Sequence, residues 1–482
     1  MPAQDHSKMP TTSFSPTALQ PGPIYFIGIG GRGMSGIAEV TLKGGYAVSG
    51  SDTEASDKIK RLETLGARVF TGHKADQVQD CSAVVYSTAI NNDNPELVEA
   101  RARGIPILHR ADMLDELMRL RFTVGVGGTQ GKTTTTSLVA ALLDAGGMDP
   151  TVVNGGIINS YGANSKIGKG KWMVVETDES DGSFLRLNPS IAVVTNIGTE
   201  HLEYYGSPGA LKEAFGKFVR NVPFYGFAVV CLDDPTIRDI ASQIPDRRLI
   251  SYGTDPEANV RAFNISIGAD GACFDVQIKA ENSQPVIWER LRLPVTGRHN
   301  VLNSLAAITI AWKLSLSEDD ICKGLKGFAG AKRRFTTVGI GRGVRIIDDN
   351  ARNPAQIAAT LGAARDVQRG IAGKVVAVVE PCRHNRLRDM LQEYCDSLED
   401  PDMVIVTDIN ASGEPPIASV DKHTLVDDLR LSGYRDALAL PAPSDLATLV
   451  AERTQPGDLV VCLGAQVFKL ARALPDQLNS RI

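Results

Sequence analysis

The run Gly128-Thr129-Gln130-Gly131-Lys132-Thr133 has the residue types of a phosphate cradle. Glycines let backbone amides turn toward an anion, a lysine neutralises it, and a threonine hydroxyl can ligate magnesium. It is not a strict Walker A sequence. That pattern wants a glycine five residues before Gly131, and position 126 is valine. A second glycine run, Gly28-Ile29-Gly30-Gly31-Arg32-Gly33, fits GxGxxG, with Asp52 further on. Its chemistry is close backbone approach to a diphosphate, with a carboxylate placed for a ribose or base; taken alone it suits NAD. Glu176-Thr177-Asp178-Glu179-Ser180-Asp181 gathers four carboxylates that repel one another unless a cation or donors sit nearby. His201 in Thr199-Glu200-His201, and the amides Asn300 and Asn303 at a helix start, complete the candidates. Asn300 reads equally as an N-cap.

Each of these runs needs an element to aim it. Ile24 to Gly28 and Phe122 to Val126 are apolar strands leading into the two glycine turns, and Met34 to Leu42 and Thr134 to Leu143 are the helices that follow. Asp52 follows a strand over Tyr46 to Ser49. Trp172 to Val175 and Ile191 to Thr195 are strands whose C-terminal ends carry the acidic run and, shortly after, His201, where open α/β sheets place their sites. Val344 to Ile347, Lys374 to Val379 and Met403 to Val406 form a third strand-rich segment. The alternation of strands and helices predicts an α/β protein of three domains with mostly parallel sheets. Asp112 to Leu120 reads as a helix, with apolar Met113, Leu114, Leu117 and Met118, leading to a boundary before Phe122. A second boundary falls near Lys332-Arg333-Arg334-Phe335. The expected domains are 21–121, 122–335 and 336–482, after a disordered tail over 1–20. Alternation between about 250 and 295 predicts a small antiparallel insertion in the middle domain.

The bulk properties narrow the function. The 482 residues carry a net charge of -5 and no basic block, which argues against nucleic acid as a partner. No apolar run reaches membrane-spanning length, and the first twenty residues lack a signal-peptide core. The seven cysteines, Cys81, Cys231, Cys273, Cys322, Cys382, Cys395 and Cys462, are scattered and without a CxxC pair. They indicate neither a disulfide framework nor a zinc site, and a cytoplasmic location is expected.

In their order the motifs resemble those of the Mur ligases, over roughly residues 23 to 475. The marks are Gly28 to Ala38, Gly50-Ser51-Asp52, Ala111 to Met118, the Gly128 loop, Asn154-Gly155-Gly156, Glu176 to Phe184, Gly297 to Asn303 and Lys332 to Phe335. The resemblance implies a Rossmann-like N-terminal domain for a UDP-linked substrate, a central P-loop ATPase-type domain, and a Rossmann-like C-terminal domain for an amino acid. It implies ATP and Mg2+ as cofactors. The implied substrates are UDP-N-acetylmuramate, or a similar UDP-sugar acid, and an amino acid, L-alanine by default. The implied reaction is amide formation through an acyl phosphate, in peptidoglycan precursor synthesis, by a monomer or homodimer.

Carried over residue by residue, Gly28, Gly30, Gly31, Gly33, Met34, Ser51, Asp52, Ser87 and Thr88 would hold the UDP substrate. Gly128, Thr129, Gln130, Gly131, Lys132, Thr133, Thr134, Asn300, Asn303, Arg334 and Asp349 would bind ATP. Lys132, Glu176, His201 and Arg334 would be catalytic. Thr133, Glu176 and His201 would hold magnesium. Arg352, Cys382, Arg383 and Arg386 would face the amino acid.

The last third departs from the family's pattern. The usual Tyr-Gly-His-His-Pro is Asn350-Ala351-Arg352-Asn353-Pro354, and the usual Gln-Pro-His-Arg is Glu380-Pro381-Cys382-Arg383. A usual Tyr is Asn410, and a usual Gly-Ala-Gly-Asn is Gly464-Ala465-Gln466-Val467. Gln130 stands where this branch has His. The changes spare the ATP and magnesium residues and fall on the acceptor side. They leave three readings open: the ligase with L-alanine, a paralogue with another acceptor or another UDP-linked acid, and a UDP-sugar or ATP-binding protein without turnover.

Overall fold

The computed structural model describes residues 22–280, 284–434 and 436–480. The expected tail, 1–20, lies outside the described residues. The chain divides into two compact units, one ending at Leu114 and the other beginning at Asp115.

The first unit is a five-stranded parallel sheet: β1 (Ile24–Ile27), β2 (Val48–Asp52), β3 (Arg68–Thr71), β4 (Ala83–Tyr86) and β5 (Ile107–His109), in the order β3-β2-β1-β4-β5. All four residues of β1 are buried, as expected for a strand covered on both faces. The order reverses between β1 and β4. Loops leaving these two strands therefore diverge to opposite faces and open a crevice at their C-terminal ends. β2 begins later than the sequence pattern implies and runs on through Asp52, because Ser49 to Asp52 pair in register with Arg68 to Thr71.

The second unit holds two sheets. The ten-stranded sheet contains β6 (Phe122–Gly127), β7 (Thr151–Ile158), β8 (Ala163–Lys166), β9 (Trp172–Glu176), β10 (Ile191–Val194), β11 (Phe227–Cys231), β12 (Leu249–Gly253), β13 (Val260–Gly268), β14 (Gly271–Ile278) and β15 (Val286–Leu293). Its order is β15-β14-β13-β12-β11-β10-β6-β9-β7-β8. From β13 to β7 the strands are parallel; β14 and β15 at one edge and β8 at the other are antiparallel. The antiparallel meander falls in the predicted stretch. β14 alternates half-buried and buried residues along its length, the period of a sheet packed on one face.

Helices Lys132–Ala145 and Arg298–Lys313 cover one face of the central strands. On the other, Phe184 packs on Phe215 and Phe218, with ring centroids 5.1 and 5.2 Å apart. Each such ring, fully buried, contributes about 1.5–3 kcal/mol relative to exposure. This packing holds β6 and β10 rigid under the loops they carry.

The last sheet has β16 (Thr336–Gly341), β17 (Val344–Asp349), β18 (Val375–Val379), β19 (Met403–Val406), β20 (Ala437–Ala439) and β21 (Leu459–Leu463), ordered β16-β17-β21-β18-β19-β20. All pairs are parallel except β16 with β17. The C-terminal ends of β17, β18 and β21 deliver Asp349, Glu380 and Gly464 to one edge. No helix among the described residues is long and apolar enough to cross a membrane.

Candidate active site

The Gly128–Thr133 loop joins central strand β6 to helix Lys132–Ala145, whose start has no side-chain cap. The open amides of that first turn face outward, the arrangement that binds phosphate. Gly131 has φ +80°, and a Cβ there would collide with the Asn303 amide, so only glycine fits. The loop is fastened to the segment after β10. Thr129 N and Gln130 N donate to Asn196, to its carbonyl at 2.9 Å and its side-chain oxygen at 2.9 Å. Thr195 Oγ1 and Asn196 Nδ2 donate to Gln130 O at 2.5 and 3.1 Å, and Gly198 N donates to Thr129 Oγ1 at 2.8 Å. Gln130 is thus held by its backbone, and its side chain is not needed for the loop's shape.

Lys132 Nζ lies 2.6 Å from Glu179 Oε1 and donates to Gly128 O at 2.5 Å and Thr129 O at 3.2 Å. Burial works to lower the basicity of the ammonium, but the carboxylates of Glu179, Glu176 and Asp178 outweigh it and raise the pKa. The lysine is therefore a fixed positive charge at the loop. Each carboxylate of the acidic run finds a donor: Gly155 N for Glu176 (2.7 Å), Ser180 N for Asp178 (3.0 Å), Lys132 for Glu179, and Ser183 N for Asp181 (3.0 Å).

Thr133 and Glu176 both line a cavity of about 400 Å³. The backbone of β7 leaves the room between them. A Cβ on Gly155 would lie 2.6 Å from Glu176 Oε1, and one on Gly156 would lie 2.8 Å from Thr133 Cγ2. Among the described residues no three acidic, His or Cys side chains converge as a protein-only metal cage. One hydroxyl and one carboxylate beside a phosphate loop fit magnesium, which takes much of its coordination from water and phosphate. His201 does not line this cavity. It sits at φ +59°, with its ring 3.6 Å from Glu203 Oε1 and 3.9 Å from Glu200 Oε2.

The same cavity is lined by Thr129 to Thr134, Asn300, Asn303, Arg334 and Asp349, which brings together most residues expected at the ATP site. The helix beside it starts at Arg298 with Gly297 as N-cap, so Asn300 is not the cap. Instead Asn300 Nδ2 donates to Thr296 O at 2.7 Å, Asn303 Nδ2 donates to Asn300 Oδ1 at 3.2 Å, and Thr135 Oγ1 donates to Asn303 Oδ1 at 3.2 Å. Asp349 is buried and accepts from Phe335 N at 2.7 Å; burial raises its pKa against the pull of Arg334. Further lining residues are Cys231, Asp233, Asp234, Tyr252, His299 and Gln356. His299 is a residue that the sequence reading missed although it adjoins Asn300. Burial, and then the charge of Arg334, push its imidazole down to about 4, so it is neutral near pH 7.

In the first unit, Gly28 N and Ile29 N both donate to Ser51 O, at 2.8 and 3.0 Å. Asp52 Oδ2 accepts from Gly30 N at 2.8 Å and Oδ1 from Thr53 N at 2.8 Å. The aspartate therefore pins the glycine loop. Ser87 and Thr88 leave β4 on the far side of the crevice, where Ile90 Cδ1 would lie 3.4 Å from a Cβ on Gly28. Gly31 and Gly33 flank the first turn of helix Arg32–Lys43, and Met34 is buried in it. A Cβ on Gly33 would lie 2.9 Å from Arg110 Nη1. This guanidinium, distant in sequence, lies against the first loop and was not signalled by the glycine motif.

At the edge expected to face the amino acid, Arg352 Nε and Nη2 donate to Asn350 Oδ1 at 3.2 and 3.1 Å. Arg386 Nη1 reaches Arg352 O at 3.5 Å, and Arg383 lies 3.4 Å from Glu203 and 3.7 Å from Glu414. Arg352, Arg383 and Arg386 are thus brought to one edge, outside the cavity. Cys382 is buried, with Sγ 3.5 Å from Ser412 Oγ, and packs as a small filler. The substituted Glu380 accepts from Gln466 N at 2.9 Å and Asn410 Nδ2 at 2.8 Å.

Comparison with known proteins assigns the chain along its length. Residues 23–122 match the model of the Mur ligase family catalytic domain, 126–311 the Mur ligase middle domain, and 333–466 the Mur ligase glutamate ligase domain. A UDP-N-acetylmuramate–L-alanine ligase of Phenylobacterium zucineum is 54% identical over 466 residues, covering 96% of this chain and 97% of that one. The protein of the same name from Caulobacter vibrioides is 52% identical, with 96% and 98% covered. The crystal structure of a UDP-N-acetylmuramate–alanine ligase from Thermotoga maritima superposes with a TM-score of 0.78 at 28% identity, covering 95% of this chain and 100% of that one. With such relatives over nearly its whole length, the chain belongs to the Mur ligase family.

Proposed function

We propose that the protein joins the carboxylate of UDP-N-acetylmuramate to L-alanine at the expense of ATP, in peptidoglycan precursor synthesis. The observation that carries this reading is a phosphate loop with Lys132, Thr133 and Glu176 on one cavity wall, in a chain 54% identical to a ligase of that name. The γ-phosphoryl group passes from ATP to the carboxylate, giving an acyl phosphate and ADP. The amine then attacks the acyl carbon, phosphate leaves, and a proton is lost from nitrogen. Lys132 and the loop amides hold the phosphates and offset the charge that develops on them. Thr133 and Glu176 would hold magnesium, which supplies Lewis-acid stabilisation of the transferring group. Neutral His299, Asn300 and Asn303 line the side suited to a base, and Arg334 brings a cation from the chain that enters the last sheet. Gly28, Gly30, Gly33 and Asp52 would hold the UDP diphosphate and nucleoside, and Arg383 and Arg386 the amino-acid carboxylate. The domains would divide as 21–121, 122–335 and 336–482, in a cytoplasmic protein.

A second acceptor reading rests on one observation: Arg352 brings a third guanidinium to the edge where Arg383 and Arg386 lie. The test of both is an acceptor screen with mass analysis of the product. Release of ADP and phosphate that needs both UDP-N-acetylmuramate and L-alanine supports the first reading. Turnover with a different amine supports the second. Tight nucleotide binding with no turnover for any amine sinks both and leaves a binding protein.

A further inference from the structure

The phosphate-loop lysine is tied to the acceptor side by a continuous set of bonds. Glu179, which grips Lys132 Nζ at 2.6 Å, is buried, and its Oε2 has no partner. Its backbone carbonyl accepts from Tyr205 Oη at 2.6 Å and from Gly182 N at 3.0 Å. Tyr205 ends the short helix Leu202–Tyr205, which is closed by left-handed His201 before it and Gly206 after it. Two carboxylates in this stretch reach the last sheet's loops. Glu200 Oε1 accepts from Asn353 Nδ2, and Glu203 pairs with Arg383 at 3.4 Å. The stretch begins at Thr195 to Gly198, the residues that fasten the phosphate loop itself. A non-glycine residue in the left-handed region is strained and persists only where surrounding bonds over-determine it. His201 lies between the two carboxylates that do so.

We propose that Glu179 and Tyr205 are positioning residues that set Lys132 through the Thr195–Tyr205 segment, so that the acceptor-side contacts at Asn353 and Arg383 and the grip on ATP phosphate are coupled. The inference rests on the ATP-site reading above. A shift of helix Leu202–Tyr205, driven by the loops that hold Glu200 and Glu203, moves the Glu179 backbone by its Tyr205 bond, and Lys132 with it. Coupling of this kind is reciprocal: what the acceptor side does to ATP affinity, ATP does to the acceptor side.

The experiment is a double-mutant cycle on the full chain, read by calorimetric binding of magnesium with a non-hydrolysable ATP analogue. Tyr205→Phe removes one hydroxyl. Asn353→Asp keeps the helix N-cap on Gln356 N but turns the contact with Glu200 into like-charge repulsion. Each is expected to weaken analogue binding by about five- to tenfold, the scale of one lost hydrogen bond. The double variant should be no weaker than the worse single one, since both cut the same tie. Glu203→Gln serves in the same cycle if either variant fails to fold. Normal analogue binding by Asn353→Asp, or strictly additive losses, overturns the proposal. The readout needs no turnover: loss of ligase activity with the coupling intact would count against the proposed reaction and leave the coupling standing.

Discussion

The two glycine loops are built on one plan and differ in what they carry. Each leaves a buried parallel strand, turns through glycines, and opens a helix with no side-chain cap. The Gly28 loop is pinned by a carboxylate, Asp52, through Gly30 N, and the Arg110 guanidinium lies beside Gly33. The Gly128 loop is pinned by neutral groups, Thr195 and Asn196, and its Lys132 ammonium folds back onto the loop carbonyls and Glu179, with Thr133 and Glu176 lining one cavity. The first arrangement suits a diphosphate whose charge stays put. The second suits a phosphoryl group whose charge moves. On the proposed function the same backbone device would serve binding in one place and transfer in the other, and the side chains would decide which.

The sharpest way to break this contrast is Lys132→Ala. It should lower ATP-dependent ADP release by about 10²–10³-fold or more, measured in a coupled assay; undiminished turnover would refute the role given to Lys132. Glu176→Gln should cost about 100-fold in kcat, several kcal/mol of metal-borne stabilisation, and shift the magnesium concentration needed for half activity upward. An unchanged magnesium titration would separate Glu176 from the metal. Asp52→Asn turns an amide NH2 toward the Gly30 or Thr53 N–H. It should raise KM for the UDP substrate by about tenfold and leave kcat nearly as it was; a loss confined to kcat would place Asp52 in the chemistry instead.

The smallest effect is one of acid stability. His299 is neutral in the fold, with its pKa pushed down to about 4 from 6.5. Between those values the unfolded chain binds the extra proton, so stability falls as pH drops from 6.5 toward 4. His299→Gln should flatten that part of the melting-temperature profile, and an identical slope in both proteins would contradict the buried neutral imidazole.

Both loops were legible in the sequence because their chemistry demands particular residues at short spacing. The parallel sheets were legible because strands covered on both faces read as unbroken apolar runs such as Ile191 to Val194. What escaped was set by distant partners. Nothing near Lys132 announces that Glu179 will grip it, and nothing near Gly33 announces Arg110. Asn300 read as a cap because Asn commonly is one. Gly297 instead supplies the turn at φ +97°, and the amide is left free to bond Thr296. His201 lies in the stretch beyond β10, and the left-handed turn that points it at Glu200 and Glu203 has no local signature.

The Glu380 cluster has a consequence for how such a chain can change. The carboxylate accepts from both Gln466 N and Asn410 Nδ2, while Asn410 Oδ1 is held by Ser412 N at 3.0 Å and Ser412 Oγ at 3.1 Å. A glutamine at 380 would keep Oε1, the oxygen that already accepts from both Gln466 N at 3.1 Å and Asn410 Nδ2 at 2.8 Å, and would give up only the second bond from Gln466 N to Oε2. Residues 380, 410 and 412 are therefore joined through single oxygens, so position 380 can exchange a carboxylate for an amide without turning Asn410 away from Ser412.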